Sequence, residues 1–448
     1  METNSLIDSD YIYCAQGHKN FRGIKDCVHC KLPLINFLDE VKSQLSILSA
    51  NQKSLQTNSE IISVGLGEFG TNQIINNLSN LSKVVDHTFL LIGVDDNDLN
   101  VLHKYFSDTY EEKIREKILT NSIYNVESDV DKDTLVWSML LSDDSNLTIE
   151  DKLRRFGLGE SSENQLIMLL APLGEALASG IGPLTVQKTK KINSKLSNIL
   201  LCTLPKNNES DQYLFNAYCG LSRFIKHDRI ETDLIILFQS DKIVNMKGVD
   251  RTGQTVKYDF LMPRILNLFH NLNFNQLLTI TKLANSMRTQ IFMPIYSYGR
   301  SYELYNSIAN IIESSIHSPL SDLDYDSTIL TIGIAFIPKI LLNKSNSNTF
   351  EEEFNECVRK KFPNLKKSYF LIVESDENSD RIDLLVLAAS AGLGNIIEPI
   401  QSGYERYKAY INDLKLWDEN NLNEDQLNKI ENVITGYDRK IKRFIKTL

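Results

Sequence analysis

Two glycine-rich turns, each placed between a strand and a helix, constrain the fold of this chain most strongly. The first, Gly65–Ile74, follows the strand-like run Ile61–Val64, and the second, Leu173–Gly182, follows the apolar run Gln165–Leu170. A strand that opens through small residues into a helix presents backbone N–H groups and the positive helix end to an anion. Two such turns in one chain predict the two sides of one nucleotide site.

Size and charge narrow the class of protein. The chain has 448 residues, which is enough for two or three domains. Its net charge of -10 argues against a nucleic-acid partner. The sequence has no apolar run of the roughly 18 residues that a membrane-spanning helix needs, and its polar N-terminus lacks the pattern of a secretion signal. We therefore expect a cytoplasmic protein.

Short apolar runs alternate with helical patterns from Ile61 onward. This alternation predicts an α/β fold with a parallel sheet covered by helices, then a long helix at Asp259–Leu272 and a second alternating region. The strands predicted after the first turn are 88–94, 166–170, 198–204, 233–238, 290–296, 328–337, 368–373 and 382–388. Two further helices, near 403–416 and 424–448, are predicted to finish the chain.

The first 31 residues contain several cysteines and histidines. Cys27 and Cys30 form a C-x2-C pair, and Cys14 with His18 can supply the other two ligands of a closed Cys3His zinc site. Such a Zn²⁺ ion would hold together a segment that is too short to fold alone. The alternative is that these thiols are reduced and unpaired, as is usual in a reducing compartment.

From about Ile61 to its C-terminus the chain resembles the tubulin/FtsZ superfamily, and tubulins most closely. Asn72-Gln73-Ile74 reproduces the N-Q-I of the family's first loop. Leu173–Gly182 aligns without gaps with L-G-G-G-T-G-S-G-M-G, and Phe292-Met293-Pro294 matches the first strand of the second domain. The resemblance implies a Rossmann-like parallel-sheet nucleotide-binding domain, a central core helix, a second α/β domain and a C-terminal helix pair.

This architecture divides the chain into six segments. They are a Cys/His zinc-knuckle-like segment (1–31), an amphipathic helix and linker (32–60), the nucleotide-binding domain (61–245), the core helix and following loop (246–275), the second α/β domain (276–400) and the C-terminal helices (401–448).

The resemblance also implies where GTP or GDP, with Mg²⁺, would bind. The expected contact residues are Gly65, Gly67, Gly70, Asn72, Gln73, Asp95, Gly174, Ser179, Gly180, Gly182, Pro205, Asp211, Ser240 and Tyr258. Of the three family residues that read the base, only the aromatic one, Tyr258, is kept, because Ser240 and Met262 replace two asparagines. A site that loses hydrogen bonds to the base loses discrimination. We therefore expect weak binding of guanine nucleotides, or none.

Hydrolysis is expected to be impaired as well. In the family, the next subunit of the filament supplies an acidic residue that acts on water, and Asn275 stands at that catalytic position here. An amide can orient water but cannot accept its proton. Glu175 adds negative charge beside an anion site, and Leu177 removes a hydroxyl from it. We predict at most a weak GTPase that forms, caps or regulates filaments with itself or with another tubulin/FtsZ-like subunit.

Two other functions stay open. Gly65–Gly70 is also a G-x-G-x-x-G, and Asp95 ends the next strand, which is the pattern of a Rossmann-type enzyme that binds NAD or ATP. The glycines of the second turn can instead serve close packing, which would make the chain a ligand-free scaffold.

The end of the chain is basic. Its cations are Arg439, Lys440, Lys442, Arg443 and Lys446. They predict either a docked last helix, whose cations face its negative end, or a surface for a membrane or another anionic partner.

Overall fold

The structure is a computed structural model of the chain, which forms two compact units, Met1–Asn58 and Ser59–Leu448. It describes residues 11–13, 19–21, 28–29, 61–78, 87–93, 118–122, 154, 165–225, 232–244, 248–249, 255–256, 258–344, 347–375, 379–389, 392–414, 435–436 and 438–443. No helix in these ranges is both long enough and apolar enough to span a membrane.

The first unit contains an antiparallel hairpin of β1 (Tyr11–Tyr13) and β2 (Lys19–Phe21). The backbone N–H of Val28 donates a hydrogen bond to the Asn20 side-chain oxygen at 3.0 Å, which ties the turn at residues 28–29 to this hairpin. The four predicted zinc ligands, Cys14, His18, Cys27 and Cys30, lie outside the described residues.

The second unit is built on one large sheet. Its strands are β3 (Ile61–Leu66), β4 (His87–Gly93), β5 (Ile118–Ser122), β6 (Leu166–Pro172), β7 (Ser197–Leu204), β8 (Leu234–Gln239), β11 (Ile291–Ser301), β12 (Leu330–Pro338), β13 (Lys367–Ser375) and β14 (Arg381–Ala389). The ten strands follow the order β13-β12-β14-β11-β8-β7-β6-β3-β4-β5. Two short strands, β9 (Gly248–Val249) and β10 (Thr255–Val256), form a separate antiparallel pair.

Helices connect most of these strands. They are α1 (Gly67–Leu78), α2 (Ala176–Ile192), α3 (Asp211–Phe224), α4 (Ser240–Val244), α5 (Tyr258–His270), α6 (Phe274–Ser286), α7 (Tyr302–Tyr305), α8 (Ile308–Ile316), α9 (Lys339–Lys344), α10 (Ser347–Lys361) and α11 (Gly394–Leu414). Residues 435–436 and 438–443 are helical too. The predicted α/β class is therefore confirmed.

The six strands β5-β4-β3-β6-β7-β8 are all parallel. β3, β6 and β8 are buried along their whole length, which explains their continuous apolar runs. The strand order reverses between β3 and β6, as in doubly wound sheets that bind nucleotides. This half of the sheet is the Rossmann-like part that the sequence predicts.

The other four strands form a mixed half-sheet. β11 continues the first half by pairing in parallel with β8 at Ile291 and Phe292, and β14 then runs antiparallel to both β11 and β12. The core helix α5 belongs to one apolar cluster that contains strands of both halves, with Met262 and Phe269 fully buried. This helix therefore joins the two halves of the second unit.

The C-terminal helices pack on the first half. The Tyr404 ring of α11 stacks on Phe215 of α3 with centroids 5.5 Å apart. In the last helical residues Ile441 is fully buried in the core, and Asp438 accepts a hydrogen bond from the Tyr218 hydroxyl at 2.9 Å. These contacts are those of a docked last helix.

Candidate functional site

The two glycine turns lie side by side at the carboxyl ends of two neighbouring strands, β3 and β6, in the interior of the sheet. β3 and β6 pair in parallel from Ile61 with Leu166 to Gly65 with Leu170, and each strand leads directly into a helix. Doubly wound sheets bind their ligands outside the carboxyl ends of the strands at the point where the strand order reverses. The fold thus brings together the two turns at the position where such a ligand is expected.

The glycines of the first turn have two different tasks. A Cβ on Gly65 would lie 2.9 Å from the Gly70 carbonyl oxygen, and one on Gly70 would lie 2.8 Å from the Leu170 carbonyl oxygen. These two glycines allow the strands and α1 to approach closely. Gly67 instead has a φ of 68° and faces the second turn, where the Glu175 carboxylate lies.

The second turn is held in place by α3 and by the loop after β7. Gly174 has a φ of 127°, and its carbonyl oxygen accepts a hydrogen bond from the Asn216 side-chain nitrogen at 2.9 Å. A Cβ on Gly174 would lie 3.0 Å from the Tyr213 ring and 3.5 Å from the Pro205 side chain. Asn216 was not predicted, because its position in the middle of a helix carries no sign of this contact.

The remaining glycines of the second turn lie within α2. Ser179 is fully buried at the first turn of this helix, and a Cβ on Gly182 would lie 2.9 Å from atoms of both Leu66 and Phe224. Gly180 lies in the same helical segment. The packing alternative therefore accounts for Gly182, whereas Gly174 needs its glycine for backbone conformation.

A proline inside α2 leaves one carbonyl without its helical donor. Pro183 has no N–H, so it cannot bond the Ser179 carbonyl oxygen four residues earlier. The Arg223 guanidinium of α3 donates to this oxygen at 3.1 Å and to the Gly180 carbonyl oxygen at 2.7 Å. Arg223 thus replaces the missing donor in the helix that starts at the second turn.

Other predicted contact residues have partners within the chain. The Ser240 hydroxyl donates to the Leu204 carbonyl oxygen at 2.6 Å and ties the end of β8 to the end of β7. Asp211 at the start of α3 forms a two-point ion pair with Arg406 of α11, at 3.0 and 2.7 Å. Asp95 lies outside the described residues, and Tyr258 is described only as the first residue of α5.

Three neighbouring polar side chains in α1 bear on whether a ligand fits. Thr71 Oγ1, Asn72 Oδ1 and Gln73 Oε1 are buried atoms without a hydrogen-bond partner among the described residues. They are three of fourteen such atoms in the described residues, and as consecutive residues of one helix they point in different directions, so they do not mark a ligand site by themselves. The carboxylate of Glu175 opposes a nucleotide phosphate at the turns.

Asn275 lies away from this crevice. The core helix α5 ends at His270, which hydrogen-bonds Ser63 at 3.1 Å and Asn77, near the end of α1, at 2.7 Å. Because α1 begins at the glycine turns and runs back along the sheet, its end lies near the amino ends of the strands. Asn275 follows there, exposed in the first turn of α6. Asn275 therefore does not reach the crevice of its own chain.

Comparison with known proteins places the fold. No protein-family model matches the sequence, and no curated protein matches it. Among solved structures, CetZ from Methanosaeta thermophila strain DSM 6194 is similar at a TM-score of 0.58 and 16% identity, over 84% of this chain and 99% of that chain. CetZ1 from Haloferax volcanii, solved as a GDP-bound monomer, is similar at a TM-score of 0.58 and 14% identity, over 78% of this chain and 99% of that chain.

The fold is tubulin/FtsZ-like. At these identities the likeness shows the fold alone. It extends over almost the whole of each neighbour, so it accounts for the mixed half-sheet as well as the doubly wound half. A dinucleotide-binding fold alone would account only for the latter. In the described part of the chain no group of three His, Cys, Asp or Glu side chains is arranged to hold a metal ion.

Proposed function

We propose that this protein is a cytoskeletal subunit that associates end to end with itself or with another tubulin/FtsZ-like subunit, and that it hydrolyses GTP poorly. The observation that carries the proposal is the position of Asn275, which is exposed on the side of the sheet where the strands begin, opposite the glycine turns. A residue placed there can complete the crevice of a neighbouring subunit. With an amide in this place, the protein forms, caps or stabilises a filament without triggering hydrolysis.

We propose that the crevice between the glycine turns binds guanine nucleotide weakly. The GDP in the structure of CetZ1 supports a guanine nucleotide. Ser240 uses its hydroxyl within the chain, and Glu175 adds negative charge. The backbone N–H groups of Gly67 and Gly174 would hold the phosphates, and Mg²⁺ would bind to the phosphates of the nucleotide.

The test compares the wild type with Asn275→Asp. We expect Asn275→Asp to raise GTP turnover at least about tenfold, and only in the fraction that sediments, because a carboxylate can accept the proton of the attacking water. Asn273→Asp is the matched control, since Asp caps a helix as well as Asn and adds the same charge two residues away. A wild type that neither sediments nor binds a tubulin/FtsZ-like subunit, at any nucleotide concentration, would contradict the proposal.

The order of the six parallel strands keeps the NAD or ATP alternative open, because dinucleotide-binding enzymes share it. Fluorescence titration with NADH separates the two, since micromolar binding would favour the enzyme. The ligand-free scaffold is a third candidate, because the close packing at Gly182 needs no ligand. Purified protein that releases no nucleotide on denaturation would make the scaffold the better description.

We further propose that Cys14, His18, Cys27 and Cys30 bind zinc. The sequence pattern supports this proposal, because Cys27 and Cys30 form a C-x2-C pair and Cys14 and His18 can supply the other two ligands. One equivalent of zinc in the purified protein, lost in the double variant Cys27→Ser, Cys30→Ser, is the expected result. We also propose that the last helix presents a surface to an anionic partner. Arg439, Lys442 and Arg443 are exposed there, with Lys442 paired to Asp438 at 2.9 Å, and Ile441 is buried on the other side.

A further inference from the structure

The side chain of Glu175 lies in the crevice between the two glycine turns. A Cβ on Gly67 would lie 2.0 Å from Glu175 Oε2 and 3.2 Å from its Cδ, so the carboxylate rests against the α-carbon of Gly67. A side chain at position 67 would displace the end of the Glu175 side chain, and the φ of 68° separately favours glycine there. The carboxylate therefore crosses from the second turn to the first.

Two helix amino ends meet at this carboxylate. Gly67 is the first residue of α1, and Glu175 directly precedes α2. The amino end of each helix favours a negative charge. The Glu175 side chain makes no capping hydrogen bond to α2 and extends towards Gly67 instead. A place where helix ends ordinarily receive a phosphate thus holds an anion that belongs to the chain.

We propose that Glu175 is an internal anion that takes the place of a phosphate group and determines which ligands the crevice admits. With this carboxylate in place, a phosphate meets both a like charge and filled space. The two helix ends are complemented without a nucleotide. This inference rests on the function proposed above, which assigns the crevice to a nucleotide. It explains why that binding would be weak, because Glu175 competes with the nucleotide phosphates for the two helix ends.

Inorganic phosphate is the probe for this proposal. Glu175→Gln removes the charge at nearly constant size, and Glu175→Ala removes the charge and the filled space. Glu68→Gln is the matched control, because Glu68 is an exposed acid in the first turn of α1. We expect both Glu175 variants to bind phosphate at least about tenfold more tightly than the wild type and Glu68→Gln do, by calorimetry, and to melt at a higher temperature when phosphate is added.

Equal phosphate affinity in the wild type and both Glu175 variants would overturn the proposal. A gain in phosphate affinity in Glu175→Ala but not in Glu175→Gln would overturn the role of charge, because it would show that the space filled by the side chain alone excludes the anion. The measurement needs neither a nucleotide nor a filament. A failure of the protein to assemble would therefore leave this result unchanged, and a failure to bind phosphate would leave the sedimentation result unchanged.

Discussion

Substitution of Arg223 tests how α2 tolerates Pro183, which directly follows the second glycine turn. In Arg223→Met, the buried carbonyl oxygens of Ser179 and Gly180 lose the guanidinium that now bonds them at 3.1 and 2.7 Å. A hydrogen bond to a charged group contributes about 1.5–3 kcal/mol, and a buried acceptor left without a partner costs about 1–3 kcal/mol. We expect a loss of about 3 kcal/mol in the free energy of unfolding.

Pro183→Ala provides the second arm of the experiment. This substitution would return a backbone N–H to the Ser179 carbonyl oxygen, so Arg223→Met should cost less in that background by about 1–2 kcal/mol. Urea denaturation of the wild type, both single variants and the double variant measures this coupling energy. Arg223→Lys keeps the charge without the two-pronged geometry, and we expect an intermediate loss. Additive losses, within about 0.5 kcal/mol, would refute the compensation between these two residues.

Three further outcomes follow from packing and burial. Asp383→Asn should lower the free energy of unfolding by about 3–5 kcal/mol, because Asp383 pairs with Arg264 at 3.2 Å and both side chains are largely buried. A loss below about 1 kcal/mol in urea denaturation would contradict this. Burial raises the pKa of the Cys202 thiol, so iodoacetamide at pH 8 should modify it only after denaturation, as mass spectrometry would show. Gly182→Ala should cost about 1–3 kcal/mol by overpacking, whereas Gly394→Ala, where a Cβ meets no atom within 4 Å, should cost nothing.

The sequence predicted most of the sheet because its strands are buried apolar runs. β6, β7, β8 and all four strands of the mixed half lie where those runs predict them. β5 was missed, because Ile118–Ser122 contains only two apolar residues and pairs with a single neighbour at the sheet edge. The helix predicted near Gly403 begins earlier, at Gly394. Pro399 and Gly403 are typical of helix ends, which explains the error. In the structure both lie within α11, and Gly403 allows a close approach to Leu214.

The site was predictable only in part. The turns themselves carry a local pattern, so their existence could be derived from Gly65–Ile74 and Leu173–Gly182. The contact of Glu175 with Gly67 could not, since it depends on the pairing of β3 with β6 in one register. The same holds for Asn216, whose bond to the Gly174 carbonyl joins two elements that are distant in sequence.

The two explanations of the second glycine turn apply to different residues of it. Gly182 faces Leu66 and Phe224 and has no space for a side chain, so its glycine serves the packing of α2 whatever the crevice binds. Gly174, with a φ of 127°, serves the shape of the turn. A loss of function at Gly182 would therefore say nothing about a ligand. Substitutions of Glu175, which change the charge and the space beside Gly67, bear directly on the ligand and complement the measurement of released nucleotide.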